Sequence, residues 1–263
     1  MDHKVRTGIG GWTFAPWRGT FYPDGLRQAD ELAYAASKLS SIEINGTYYR
    51  LQKRESFAKW RDAVPDDFVF AVKASRYCTN RRTLADAGES IAKFFAQGID
   101  ELGAKLGPVL WQFAPTKRFD PEDFGAFLEL LPARCEGLAL RHALEVRHES
   151  FACPDFVTLA RRHRAAIVVA DHDDYPQIAD LTADFVYARL MRSRDDIATG
   201  YPPNELDEWA RIAKGWRDGH APEGLDYTAS KEAGSSGRDV FAYVISGAKV
   251  RAPAAAIALA ERV

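Results

Sequence analysis

Eight short strand-like segments, separated by stretches with the pattern of amphipathic helices, constrain the fold of this chain most. Strict alternation of strands and helices predicts a parallel sheet, because parallel neighbours need a crossover connection, usually a helix. Eight such units in 263 residues match the size of a single (β/α)8 barrel. The sequence therefore predicts an α/β fold with one domain over residues 1–263. The strand-like segments are residues 6–10, 41–45, 68–73, 108–113, 142–147, 166–171, 184–190 and 240–246.

Polar residues recur near the C-terminal ends of these segments. Side chains alternate between the two faces of a strand, so Glu43 lies opposite Ile42 and Ile44. Active sites of parallel barrels lie at the C-terminal ends of the strands, so these residues predict a polar site at that mouth. The same alternation predicts an inward orientation for Asn45, Lys73, Gln112, Glu145, Arg147, Asp171 and Arg189.

The charge balance and the cysteines bear on partners and compartment. Lys and Arg total 35 and Asp and Glu total 37, so no global field favours nucleic acid or an anionic membrane. No segment approaches the roughly 20 apolar residues of a membrane span, and the N-terminal residues lack an apolar signal core. Cys78, Cys135 and Cys153 form no CxxC pair and are predicted to be buried in a reducing compartment. A cytoplasmic location is therefore predicted.

The predicted catalytic residues are the carboxylates Glu43, Glu145 and Asp171. They would converge from different walls of the barrel, and acid-base chemistry needs two groups that flank the substrate. Glu145 is predicted to be the principal acid or base, with the other two as partners. The alternative is a structural ion-pair network with the cations of the same face, since buried charges persist when paired.

The predicted ligand-binding residues are cations, amides and aromatic residues near the same strand ends. Guanidinium and ammonium groups bind phosphate or carboxylate, and aromatic rings stack on sugars or bases. An anionic small molecule is therefore the predicted partner. These residues are Lys73, Arg147 and Arg189 for the anion, Asn45, Gln112 and Tyr49 for orientation, and Tyr48 and Trp12 for ring contacts.

The same acidic residues have an alternative use as metal ligands. Glu43, Glu145 and Asp171, with His148 and His172, are suitable ligand types. The neighbouring cations oppose a metal, since two unit charges about 5 Å apart at an effective dielectric of about 20 interact by about 3 kcal/mol. The glycines of the first segment do not form the GxGxxG fingerprint of a dinucleotide-binding site. The sequence therefore predicts neither a metal nor another cofactor.

Six segments, in order and spacing, resemble one known family, the YecE-like proteins (DUF72). The resemblance covers nearly the whole chain and implies a TIM-barrel-like fold, while the activity of the family is not established. It therefore supports the fold and leaves the function open. The segments are GIGGWTFAPWRGTFYP, SIEINGTYYR, FVFAVKASRYCTN, LGPVLWQF, EVRHESF, and FVYARL followed by EWARIAKGW.

Three positions depart from the pattern of this family. The family usually has a His-Gly pair where this chain has Met191 and Arg192, and an Asn-rich segment around the position of Ser246. It often has His at the position of Asn80. These positions border the predicted mouth, so the resemblance implies that this chain lacks polar groups that other members carry there.

Three classes of function follow from these observations. The first is a metal-independent hydrolase or lyase that acts on a small polar or anionic molecule containing a sugar or phosphate. The second is a nucleic-acid phosphodiesterase resembling barrel-type DNA repair endonucleases, which the neutral charge balance disfavours. The third is a non-catalytic metabolite-binding protein, which the missing polar groups favour. The sequence leaves the oligomeric state open.

Overall fold

Eight parallel strands form a closed barrel in the computed structural model, which describes residues 3–229 and 236–263. Each strand pairs with the next one along the chain, and the last pairs with the first. The predicted (β/α)8, TIM-barrel-like fold is confirmed. The strands are β1 Val5–Gly10, β2 Ser41–Ile44, β3 Val69–Lys73, β4 Leu106–Gln112, β5 His142–Glu145, β6 Ala166–Asp171, β7 Phe185–Leu190 and β8 Asp239–Val244.

Helices fill most connections between the strands. The connection between β6 and β7, residues 172–184, is described throughout and contains no helix. An antiparallel hairpin that the sequence pattern did not predict, Arg134–Cys135 with Leu138–Ala139, precedes β5. The α-helices are α1 Glu31–Ala36, α2 Gly46–Tyr49, α3 Arg54–Asp62, α4 Arg76–Thr79, α5 Gly88–Ala96, α6 Pro121–Glu129, α7 Pro154–Arg162, α8 Pro203–Arg217 and α9 Ala252–Ala260. Short 3₁₀ helices span Ala15–Trp17, Gln28–Asp30, Leu84–Ala87, Ile99–Lys105, Glu149–Phe151 and Lys249–Arg251.

Side-chain alternation separates two hydrophobic layers. On β2 and β3, Ile42, Ile44, Phe70 and Val72 pack outward against the helices. The inward side chains fill the lumen, so the barrel interior is a packed core and the mouth is the place for a ligand. The inward layer contains Val69, Ala71, Leu110, Ala143, Ala166, Val168, Phe185, Tyr187, Phe241 and Tyr243.

Close backbone approach shapes the wall between β1 and β2. A Cβ atom at Gly8 would lie 2.2 Å from the Ser41 carbonyl oxygen, so only glycine fits there. The Ser41 hydroxyl lies 2.7 Å from the hydroxyl of Tyr243, which is on β8, the other neighbour of β1. β1 and β2 therefore approach each other too closely for any side chain larger than that of Gly8.

The cysteines differ from the prediction that all three are buried. Cys78 is fully buried, and burial raises the pKa of its thiol to about 12. Cys135 and Cys153 are only partly buried, because they lie in the hairpin before β5 and just before α7, at the edge of the helical layer. In the described ranges, no helix combines the length and apolar composition needed to cross a membrane.

Candidate functional site

Five polar side chains from five strands meet at the C-terminal end of the barrel lumen. Glu43 and Glu145 have no exposed surface, and Arg189 is 2% exposed. Lys73 and Gln112 are each 8% exposed. Their inward orientation follows from the alternation along β2, β3, β4, β5 and β7. We call these five residues the lumen cluster.

Arg189 occupies the centre of the lumen cluster and binds both glutamates. Its Nη2 donates to Glu43 Oε1 at 3.1 Å, and its Nη1 donates to Glu145 Oε2. The Tyr187 hydroxyl donates to Glu43 Oε2 at 2.6 Å, and Gln112 Nε2 donates to Glu145 Oε2 at 2.8 Å. Hydrogen bonds therefore hold both carboxylates in place, as buried charges require.

Arg147 extends the cluster toward solvent. Its Nε donates to Glu145 Oε1 at 2.9 Å, and its side chain is 19% exposed. β5 ends at Glu145, so Arg147 lies just after the strand. The guanidinium lies 4.6 Å from the centroid of the Tyr175 ring, which stacks on His172 at 3.8 Å. Arg147 thus pairs with Glu145 at the solvent side of the cluster, while Arg189 pairs with both glutamates in its interior.

The charge state of Glu145 follows from its partners. Burial raises the pKa of this carboxyl, but Arg189, Arg147 and Lys73 outweigh burial and hold the pKa at about 2. Glu145 is therefore ionised at neutral pH. In that state it accepts hydrogen bonds or protons but does not donate a proton.

Lys73 differs from the two arginines of the site. Its ammonium forms no ion pair or hydrogen bond with the part of the chain that the structure describes. Its ammonium lies 4.2 Å from the centroid of the Tyr48 ring. Burial, assisted by the charge of Arg189, lowers the pKa of Lys73 to about 8. Lys73 is therefore a buried cation that titrates near neutral pH.

The position of Tyr48 is set by its neighbour Thr47. The Thr47 hydroxyl lies 2.6 Å from the carbonyl oxygen of Lys73 and 3.1 Å from that of Ile44. These contacts attach α2 to the ends of β2 and β3. The Tyr48 hydroxyl also accepts a hydrogen bond from the Asn80 amide at 3.2 Å. The ring is therefore fixed beside the ammonium.

The other predicted binding residues lie on the rim, away from the lumen cluster. Trp12, Asn45 and Tyr49 line a cavity of about 440 Å³ above β1 and β2. Trp12 packs edge-on against Trp60 of α3 with ring centroids 5.2 Å apart, and Tyr49 is 63% exposed. The residues of the lumen cluster do not line this cavity. The structure thus divides the predicted binding residues into a lumen group and a rim group.

Asp171 does not join the two glutamates, and the prediction that it points into the lumen is wrong. On β6 the outward residues are Ile167 and Val169, and Asp171 shares their face. Its carboxylate accepts a hydrogen bond from the Tyr201 hydroxyl at 2.9 Å and lies 2.6 Å from Arg192 Nε. Burial raises the pKa of Asp171 despite these partners. The inward residue at that level of β6 is Ala170, so this wall contributes no charge.

The sequence interpretation missed two tyrosines. Tyr187 binds Glu43, and its ring lies 5.0 Å from that of Tyr243. Burial and the charge of Glu43 raise the pKa of Tyr187 well above its usual value, so the hydroxyl remains a donor. Tyr187 lies two residues before Arg189, on the same face of β7, and this spacing could have indicated its position.

The histidines considered as metal ligands have other contacts. His148 Nδ1 accepts a hydrogen bond from the Ser150 backbone N–H at 3.0 Å, and His172 stacks on Tyr175. Among residues 3–229 and 236–263, no three His, Cys, Asp or Glu side chains are grouped so that they could hold a metal ion.

The departures from the family pattern lie around the mouth. Asn80 follows α4 and binds Tyr48. Met191 is 4% exposed directly after β7, and Ser246 after β8 has a φ of 67°. The Ser193 hydroxyl lies 3.3 Å from the Ser246 carbonyl oxygen, which links the two loops.

The closed parallel barrel and the charged cluster at its C-terminal end define a TIM-barrel-like protein with a candidate ligand site at the mouth. The family model described as "Protein of unknown function DUF72" matches residues 6–263. The chain therefore belongs to the DUF72 family.

Relatives of known sequence and structure agree with this assignment. The UPF0759 protein YecE from Escherichia coli K12 and that from Escherichia coli O157:H7 are each 26% identical over 150 residues. The match covers 56% of this chain and 50% of the relative, so the chain spans about half the length of these curated relatives.

Two solved structures have the same fold. The DUF72 family protein from Thermotoga maritima MSB8 is 22% identical with a TM-score of 0.71, covering 98% of this chain and 97% of the other. The DUF72 family protein from Enterococcus faecalis V583 is 16% identical with a TM-score of 0.67, with the same coverages. At these identities the structures support the fold alone.

Proposed function

We propose that the barrel mouth binds a small anionic molecule, containing a phosphate, carboxylate or sugar, and that the protein acts on it as a metal-independent hydrolase or lyase. The observation that carries this proposal is the unpaired ammonium of Lys73. Lys73, Arg147 and Arg189 face two carboxylates, Glu43 and Glu145, so the site has one more positive than negative charge. An unpaired buried charge is costly, and a bound anion would offset that cost.

The proposed roles follow from the charge states. Arg147, at the solvent side, and Lys73 would hold the anion. Glu145, whose pKa of about 2 makes it a weak base at neutral pH, would stabilise positive charge, while Lys73, whose pKa is about 8, would donate or accept a proton near neutral pH. Glu43 would orient Arg189, and Gln112 would orient Glu145.

The test is thermal denaturation of the purified protein with orthophosphate, sugar phosphates and small carboxylates. A ligand at about 100 times its Kd stabilises the fold by about 2.7 kcal/mol. For a chain of this length that is about 5 °C in Tm. Lys73→Met should abolish the increase, while Lys214→Met, which removes an exposed charge on α8, should retain it. An increase that persists in Lys73→Met would show that the anion binds elsewhere.

Catalysis is tested next with any compound that binds. Turnover should survive treatment with EDTA and disappear in Glu145→Gln, which keeps the shape of the side chain and removes its charge. Turnover that stops with EDTA would contradict the metal-independent mechanism. Turnover that Glu145→Gln leaves intact would remove Glu145 from the chemistry.

A non-catalytic metabolite-binding protein is the second candidate. The observation in its favour is that Arg189 binds both glutamates, so neither carboxylate is free to approach a substrate. Ligands that bind tightly through Lys73 and show no turnover under any tested condition would select this candidate over the enzyme.

A further inference from the structure

A second cationic feature lies outside the lumen, on the loops that follow β3 and β4. These loops enclose a groove of about 600 Å³, within the range of small-molecule sites. We call it the cationic groove. Its lining consists of Thr79, Asn80, Arg81, Arg82, Ala114, Thr116, Lys117 and Arg118.

The cationic groove has a surplus of positive charge. Lys117 forms an ion pair with Asp123 at 2.7 Å. Arg81 donates to backbone carbonyls and a hydroxyl, and Arg118 Nη1 lies 3.3 Å from the ring nitrogen Nε2 of His148. Among the described residues, the three arginines have no carboxylate partner, so four cations face one carboxylate. The groove therefore has three uncompensated positive charges.

A buried hydroxyl gives independent evidence for a ligand. Thr79, the last residue of α4, is 2% exposed, and its Oγ1 has no hydrogen-bond partner in the described part of the chain. A buried hydroxyl without a partner costs about 1–3 kcal/mol. Thr79 lines the groove beside the arginines, so its unpartnered hydroxyl is a candidate donor to an anion held there.

We propose that the cationic groove binds the phosphate group of a small phosphorylated molecule, as an anion site separate from the lumen cluster. Phosphate oxygens accept several charge-assisted hydrogen bonds, and arginine matches their geometry. The size of the groove fits a small molecule, and the net charge of -2 gives no extended field for a polyanion. Asn80 lines the groove and binds Tyr48, so the groove adjoins the Lys73 side of the mouth.

The experiment is calorimetric titration with inorganic phosphate at low ionic strength. Arg82→Gln and Arg118→Gln each remove one cation, and each should weaken phosphate binding about tenfold or more. Arg162→Gln, which removes an exposed arginine at the end of α7, should bind phosphate like the parent. Tm measured without phosphate shows whether each variant is folded.

Thr79→Val gives a second test, because a purely structural role for Thr79 would change Tm without changing phosphate affinity. The substitution removes an unsatisfied hydroxyl, so Tm without phosphate should rise while phosphate affinity falls. If phosphate affinity stays at the parent value in Thr79→Val, and in both arginine variants, the proposal is wrong.

Lys73→Met separates this proposal from the proposed function. Phosphate binding that survives Lys73→Met and is lost in the arginine variants supports the groove, whether or not the mouth binds an anion. Binding that disappears in Lys73→Met, with the arginine variants like Arg162→Gln, supports the mouth and overturns the groove. An oligothymidylate that binds far more tightly than phosphate, with steep salt dependence, would make nucleic acid the partner and overturn the small-molecule assignment.

Discussion

Glu145→Gln should destabilise the protein by an amount that depends on pH. The folded state holds the pKa of this buried carboxyl at about 2. In the unfolded chain the pKa is about 4.3, and each unit corresponds to about 1.4 kcal/mol. The ionised carboxylate therefore contributes about 3 kcal/mol to the free energy of unfolding at pH 7. Glutamine keeps the shape of the side chain and loses this contribution.

The size of the effect is large enough for a simple assay. With an unfolding entropy of about 2.1 cal/mol/K per residue, about 3 kcal/mol corresponds to about 5 °C in Tm for this chain. Urea denaturation at fixed pH measures the free energy directly. Glu129→Gln makes the same chemical change at an exposed position at the end of α6 and should stay within about 0.5 kcal/mol of the parent.

The sign of the pH dependence follows from the depressed pKa. Between about pH 4.3 and pH 2 the unfolded chain binds the proton at Glu145 and the folded state does not, so the parent loses stability as the pH falls. The difference between parent and variant should be constant from pH 7 to about pH 5 and shrink below that. Equal stability at pH 7, or a difference that does not shrink by pH 3, would refute this account of the lumen cluster.

Three further predictions concern neighbouring residues. Lys73→Met should stabilise the protein at pH 7: the folded pKa of about 8 lies below the unfolded value of about 10.4, so parent stability should rise by about 3 kcal/mol as the pH increases through this interval. Urea denaturation from pH 7 to 10 would contradict this if parent and variant respond alike. Tyr187→Phe removes the hydrogen bond to Glu43 and should cost about 1.5–3 kcal/mol, against about 1 kcal/mol for Tyr243→Phe, whose partner is neutral. Similar losses in both urea curves would argue against a charged acceptor. Asp171→Asn should leave ligand-induced Tm increases unchanged, because Asp171 faces the helical layer; a lost increase would place it in the site.

The barrel and the inward charges could be predicted because both depend on local repetition. Strand and helix periods gave the fold, and alternation on β2 and β5 placed Glu43 and Glu145 correctly. The same rule failed at Asp171 because polarity alone does not indicate an inward position. Its own strand neighbours Ile167 and Val169 are the large residues that pack outward.

Contacts between distant segments could not be predicted in the same way. Whether Lys73 or Arg189 pairs with the glutamates depends on distances across the lumen, which no period in the sequence encodes. The cationic groove could be predicted in part. Its arginines follow β3 and β4, which are adjacent strands, so the topology would have brought them together once the barrel was assumed.

The two ion pairs of Arg189 have a consequence for folding kinetics. They join Arg189 on β7 to Glu43 on β2, which is 146 positions earlier in the chain, and to Glu145 on β5, which is 44 positions earlier. We expect the contact with Glu43 to form late, when the sheet closes into a ring, because contacts of such separation are the slow ones in folding. Interactions absent from the transition state act mainly on the unfolding rate. We therefore expect the central arginine to act chiefly on how long the closed barrel survives and little on how quickly it assembles.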